Sequence, residues 1–333
     1  MTEVLELADA RVWKDGTCIA DHVSPQQVTE ALLDSSTIVW VDLLDPSPEQ
    51  LNATAHQLGI GETAVEDALE PYERAKVTRH DSHLSFTVYG VGLDKSGARP
   101  DLDLQKVSGF VLPRGLVTVR STTEGQAYDM SEVVRRWEAN RTLLKDGVGA
   151  LVHGLMDTIV DGHFETIQRL DDSVEDLEDV LFAEERTGRE FAEKVYGLRK
   201  NLVALRRVVL PMREVVNALM RHRGRSGGEL DSWYEDLYDH VLRASEWTES
   251  LRDMISSVFE TNLSLQDARL NSIMKKLAAW AALIAIPTAI TGWFGQNVPY
   301  PGFDNQTGLW ISIVLIVGLT FGLYVVFRKK GWL

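Results

Sequence analysis

Two runs without a charged residue close the chain, Leu277–Phe294 with 18 residues and Thr307–Phe327 with 21. A helix needs about 20 predominantly apolar residues to cross a bilayer, so each run is long enough to span. Lys275 and Lys276 precede the first run, and Arg328, Lys329 and Lys330 follow the second. The stretch between them, from Gly295 to Gln306, carries neither Lys nor Arg. By the positive-inside rule these flanks predict a multi-pass hairpin in the cytoplasmic membrane with both termini cytoplasmic. Two core helices of a soluble protein would match the apolarity but not the basic flanks.

The rest of the 333-residue chain is polar, with a net charge of −15. That balance argues against a nucleic-acid partner, which calls for a basic face, and suits the attraction of cations. The single cysteine, Cys18, excludes an internal disulfide framework and any cysteine-based zinc cluster. The opening MTEVLELADA has no basic segment leading into an apolar core, so no cleavable signal peptide is expected.

The first part mixes strands and helices. ARVWKDGTCIA reads as a hairpin around Asp15-Gly16. Ser24-Pro25 and Ser47-Pro48 each pair an N-cap residue with proline at the first helical position, and the first opens a helix to about Ser35. TIVWVDL is a buried strand; LSFTVYGVG and KVSGFVLPRGLVTVR supply more, with a turn at Pro113–Gly115. From about Met130 the chain turns helical. The acids between Asp171 and Asp179 read as a solvated face or a cation attractor. A basic segment follows, which Pro211 is expected to interrupt or bend. GRSGG, residues 224–228, reads as a turn. GIGETA at Gly59 lacks the Lys-Ser/Thr of a phosphate loop, and no His pair has metalloprotease spacing, so an enzyme is not expected. His163, beside Asp161 and Glu165, reads as a surface residue rather than a ligand; His240, beside Asp236 and Asp239, is the better metal candidate.

From Glu229 to Ile286 there is neither Gly nor Pro. A helix of that length would reach about 87 Å, so it must pack against neighbours or copies of itself. Within it Asn271, Met274, Leu277, Ala281, Ala285, Thr288 and Gly292 fall in an arc of about 120°. Asp267, Ser264, Glu260, Ser257 and Asp253 roughly continue that stripe upstream. Small residues also suit close helix packing. The polar continuation and the amide of Asn297 at the far end favour a pore. One hairpin cannot enclose a pore, whereas a closed ring of identical chains can. A ring of Asn297 amide oxygens, flanked by Gly295 and Gln296, would suit the water shell of Mg2+, which dehydrates reluctantly. Thr288 would add a hydroxyl ring. Pro299 and Pro301 stiffen the loop.

At this point the sequence resembles the CorA family of divalent-cation transport proteins, whose Gly-Met-Asn hallmark appears here as Gly295-Gln296-Asn297. WVDLLDPSPEQ, EDALEPYERAKV, YGLRKNLVALRRVVLPMREV, WYEDLYDH and FRKKGWL are similar to family segments in the same order, over nearly the whole chain. The resemblance implies an α+β cytosolic domain (1–127), a helical stalk (128–273) and a two-helix transmembrane hairpin with a basic tail (274–333), assembled as a funnel-shaped homopentamer. It implies pore positions at Asn271, Met274, Leu277, Thr288, Gly292 and Asn297, with Met274 and Leu277 as a hydrophobic constriction. It also implies a cytosolic metal-sensing carboxylate at Asp236. No cofactor is expected; the divalent cation is substrate and regulator, and the partners are other copies, cations and the bilayer.

Two departures bear on the cargo. Gln296 stands where the family has Met, and the loop offers Asp304 as its one acid. Mg2+ is the expected cargo, with Co2+ or Ni2+ also passing. A Zn2+ transporter of the same family is the alternative, and a membrane-anchored cation sensor or scaffold without flux is the reading from another class.

Overall fold

The turn at Asp15-Gly16 shows how local chemistry starts the fold. Both residues adopt left-handed backbone, φ 51° and 77°, as the tight hairpin turn requires. They join β1 (Asp9–Lys14) to β2 (Thr17–Asp21). A Cβ on Gly16 would meet the carbonyl oxygen of Arg141 at 2.0 Å, so the turn is also pressed against the chain. In this computed structural model the described residues are 9–94, 101–122, 126–182, 189–224, 228–296, 299–300, 302–303 and 305–333.

Both Ser-Pro pairs act as read. Ser24 caps α1 (Pro25–Leu33) in a capping box with Gln27, and Ser47 caps α2 (Pro48–Leu58) in one with Gln50. Each box satisfies two backbone donors at a helix start. Gly59 ends α2 in the left-handed region, and Gly61 begins α3 (Glu62–Leu69), so GIGETA is a helix-to-helix corner. β3 (Thr37–Leu44), β4 (Lys76–Arg79), β5 (Leu84–Asp94), β6 (Asp101–Val111) and β7 (Gly115–Arg120) complete one seven-stranded sheet of order β2-β1-β3-β7-β6-β5-β4. Every neighbouring pair is antiparallel except β3 with β7, which runs parallel from Val39↔Gly115 to Leu44↔Arg120.

Alternation along β3 builds two cores. Val39, Val41 and Leu43 face α1–α3 with Val28, Leu51, Ala55 and Val65. Trp40 faces the other way, into a core with Trp13, Phe86, Val88 and the helices α4 (Ser131–Ala139), α5 (Arg141–Leu144), α6 (Val148–Phe182), α7 (Arg189–Arg223) and the start of α8 (Glu229–Phe294). Trp137 of α4 packs edge-on against Trp13 and Trp40, with ring centroids 5.9 and 5.1 Å apart. The result is a three-layer α/β/α unit.

Two devices tie the layers together. Asp42, wholly buried, accepts from Arg120 Nε at 3.0 and 3.1 Å and from Thr118 Oγ1 at 2.6 Å, across the parallel pair. Thr118 Oγ1 in turn accepts from Trp40 Nε1 at 3.0 Å. Lys106 sends its ammonium from β6 to the carbonyls of Asp67, Ala68 and Glu70 at 3.0, 2.9 and 2.5 Å, occupying the acceptors at the end of α3. Burial pushes that ammonium down to about 8, against the pull of Glu73, Glu70 and Asp67.

Of the two outcomes expected at Pro211, an interruption or a bend, the interruption does not occur: α7 is continuous through it. Val208, Val209, Met212, Val215 and Val216 are buried on both sides of the proline. Their burial, about 1.5–3 kcal/mol for each large side chain, outweighs one lost backbone bond.

The chain divides into two units, Met1–Ser257 and Val258–Leu333, with the boundary inside α8. The second unit holds the rest of α8 and α9 (Gln306–Lys329). Backbones approach closely between Gly302 and α9: a Cβ on Gly308 would lie 2.5 Å from the carbonyl oxygen of Gly302, which itself has φ +95°.

Removing Arg120 strands a buried carboxylate, which costs about 3–5 kcal/mol. Arg120→Ala should therefore lower the thermal midpoint of the full-length protein markedly, and the double variant Asp42→Asn, Arg120→Leu should recover part of the loss. A midpoint unchanged in Arg120→Ala would show that the seam does not depend on the pair.

Candidate functional site

α8 is unbroken from Glu229 to Phe294, so the long helix expected from the Gly- and Pro-free run forms and extends through Pro287. On it Asn271, Met274, Leu277, Thr288 and Gly292 are all exposed, with Met274 68 % and Leu277 70 % accessible. Their spacing keeps them on one face. Thr288 Oγ1 donates to the Ile284 carbonyl at 2.9 Å. Its proton is thereby committed to the helix, and its lone pairs remain as acceptors. Space around Gly292 is open. Gly295 donates to Thr291 O at 2.8 Å, and a Cβ there would crowd that same oxygen at 3.0 Å. Gln296 is exposed. Asn297 lies outside the described residues, as do Pro301 and Asp304.

Beyond the tip the loop is braced by aromatic rings. Tyr300 stands edge-on to Phe294 and Phe303 at 5.1 and 5.2 Å, and its hydroxyl donates to Phe294 O at 3.3 Å. α8 and α9 are the two helices long and apolar enough to cross a membrane among the described residues. Trp280, Ile284, Leu309, Val314, Val317 and Phe321 are exposed on them, the reverse of a soluble core.

The second group of interest lies in the α/β unit. Asp236 and Asp239 are exposed. His240 Nε2 is 3.7 Å from Asp236 Oδ2, one helical turn away. His240 also meets Asp157 and Asp161 of α6, so that the three side chains offer ligand atoms within 4.8 Å of one another. Asp239, one residue off that face, is not in this group. The sequence reading missed Asp157 and Asp161, although their i, i+4 spacing on a helix was a usable signal. The two carboxylates already hold a cation: Arg136 of α4 donates to Asp157 at 2.8 Å and to Asp161 at 2.6 Å, while its Nε donates to Glu132 at 3.0 Å.

His163 is a correction. It is 1 % exposed, not a surface residue, and its Nε2 donates to the Tyr89 carbonyl at 2.8 Å. Its position belongs to the buried stripe Met156, Ile159, Val160, Ile167 and Leu170. Burial pushes the imidazole down to about 4, opposed by the Tyr89 bond.

A large polar α/β unit followed by an exposed apolar helix hairpin with small and hydroxyl residues along one face is the plan of a two-span membrane transporter. The chain belongs to the CorA-like Mg2+ transporter protein family, whose model matches residues 35–329. It is thus a divalent-cation transporter of the membrane and not an enzyme. It is 26 % identical over 322 residues to the cobalt/magnesium transport protein CorA of Methanocaldococcus jannaschii, covering 96 % of this chain and 98 % of that one. It is 27 % identical over 276 residues to the zinc transport protein ZntB of Yersinia enterocolitica, covering 78 % and 77 % of the two. The complete structure of the CorA magnesium transporter from M. jannaschii superposes with a TM-score of 0.73 at 24 % identity, over 97 % of this chain and 98 % of that one. That likeness establishes the α/β unit, long helix and C-terminal hairpin as a shared fold.

An imidazole held below its ordinary 6.5 stays neutral in the fold while the unfolded chain protonates first. The stability this contributes is complete above pH 6.5 and is lost as pH falls towards 4, by up to about 3 kcal/mol. His163→Gln keeps a donor for Tyr89 O and should flatten this part of the stability-pH profile. Parallel profiles for the variant and the wild type would refute the assignment.

Proposed function

We propose that the protein conducts Mg2+, with Co2+ or Ni2+ as further cargo, through a homopentameric pore lined by the exposed face of α8. The observation that carries the reading is that face itself: Asn271, Met274, Leu277, Thr288 and Gly292 are accessible along one helix that passes through the apolar segment. Bulky apolar Met274 and Leu277 repeated about an axis would form a ring that gates by dewetting. Thr288 supplies hydroxyl acceptors, and Asn297, carried on the Gly295-Gln296 corner, supplies an amide ring at the outer end. Amide oxygens bind a hydrated ion without the tight hold of a carboxylate ring, so the ion can leave. The exposed apolar surface of α8 and α9 is met by lipid and by neighbouring copies, with both termini in the cytoplasm.

Asp236 and His240 serve in this reading as a cytosolic sensor, with Asp239 beside them. A divalent cation shared between subunits would relieve carboxylate repulsion and favour the closed ring, because a ligand shifts an equilibrium by its differential affinity for the two states. The sensor and the Met274–Leu277 ring are borne by the same helix. A second reading, Zn2+ as cargo, is favoured by the resemblance to a zinc transport protein and by Gln296 in place of the family's Met.

The test is cation flux into proteoliposomes with Mg2+, Zn2+ and Co2+, with and without a pH gradient. Asn297→Ala should lose at least about tenfold of uptake, on the order of 1.4 kcal/mol, while assembling normally. Near-normal uptake in assembled Asn297→Ala would sink the amide ring, and a monomer by native mass measurement would sink the pore. Zn2+ flux without Mg2+ flux would select the second reading, and no flux of any cation would leave a sensor or scaffold. Asp236→Ala should weaken inhibition by internal cation; an identical response over the whole range removes Asp236 from the sensor.

A further inference from the structure

A cleft of the α/β unit lies apart from the exposed face of α8 and from the His240 group. It has a volume of about 590 Å3 and sits where the loop after β3, the end of β7, the segment after α3 and the side of α7 converge. Asp45 follows the carboxyl end of β3, and Arg120 and Ser121 mark that of β7. These are the two parallel neighbours, and the crevice beyond the carboxyl ends of parallel strands is where open α/β sheets bind ligands. The volume is in the range of small-molecule sites.

The charges around the cleft separate into those already used and those not. Arg120 is engaged by Asp42, and Lys106 by three carbonyls. Asp45 accepts from Thr122 N and Oγ1 at 2.8 and 2.6 Å, and Glu73 is paired with Lys76 at 3.1 Å. What remains is Arg74 and Arg207, both exposed, whose guanidinium groups have no hydrogen bond or ion pair among the described residues, set against the single carboxylate of Glu70. Two unspent guanidinium groups face one cleft in a chain whose net charge is −15. Guanidinium groups match phosphate oxygens in a planar, bidentate fashion. The exposed ring of Tyr72 lies at the same rim.

We propose that this cleft is a binding site for a small polyphosphate anion, clamped between Arg74 and Arg207. The phosphoanhydride is the recognised chemistry, and Tyr72 offers a face on which a base can stack. The site is independent of the cation pathway, so its test reads binding and not flux.

The full-length protein, stripped of divalent cations with EDTA and exchanged into metal-free buffer, is titrated calorimetrically with inorganic pyrophosphate and with ADP. Saturable binding is expected. Arg74→Gln and Arg207→Gln should each weaken it about tenfold, equivalent to 1.4 kcal/mol. Both side chains are exposed and make no hydrogen bond or ion pair among the described residues, so the thermal midpoint should not move. ADP binding tighter than pyrophosphate, with the advantage lost in Tyr72→Ala, assigns a nucleotide; equal binding assigns the bare phosphoanhydride. No saturable binding of either anion at millimolar concentration overturns the proposal, as does binding that neither arginine variant weakens.

Discussion

The sheet is two antiparallel halves joined at one parallel seam, and a buried ion pair sits on that seam. β2-β1-β3 and β7-β6-β5-β4 are each built from antiparallel pairings, but β3 and β7 are paired across all the chain that lies between them. Asp42 and Arg120 are separated by 78 residues and are joined by direct hydrogen bonds. A buried carboxylate is tolerable only when its partner is in place, so the pair penalises any register of β3 on β7 that separates the two. Trp40 and Thr118 extend the same polar contact into the tryptophan cluster beneath. The position of α4, and with it Arg136, follows from that cluster.

Local chemistry was legible in the sequence, and long-range pairing was not. The Asp15-Gly16 turn, both Ser-Pro caps and the uninterrupted α8 follow from short-range rules, and each is found. Pro211 does not interrupt α7 because the apolar face that crosses it outweighs a single-residue penalty. His163 was misjudged because Asp161 and Glu165, its sequence neighbours, point elsewhere on the helix, while its register with Met156, Ile159 and Val160 places it inside. Asp157 and Asp161 escaped notice because their significance depends on Arg136 and His240, brought to α6 by other elements. The two apolar C-terminal helices were legible from composition alone. The arrangement of several such helices about an axis is a property of an assembly, which the intramolecular contacts of one chain do not specify.

The two units obey opposite rules. In the α/β unit large apolar side chains are inside, and the buried Trp40, Asp42, Thr118 and His163 side chains are hydrogen-bonded. In the C-terminal unit the helices satisfy their own backbone groups and turn apolar side chains outward, which suits hydrocarbon. The hydroxyls of Thr288 and Thr291 donate back to carbonyls of their own helix, so they carry polarity into that segment without an unsatisfied proton.

Lys106 has a mechanical consequence. Its ammonium grips three carbonyls at the end of α3, those of Asp67, Ala68 and Glu70, from a central strand, so the helix end and the turn that follows are fastened to the sheet. The segment from Glu70 to Ala75 forms one wall of the cleft. That wall is therefore set before any guest arrives, and little chain entropy remains to be lost when one does. Rigidity here is supplied by a side chain that never has to touch the guest, which leaves the rim residues free to vary in charge without softening the wall that carries them.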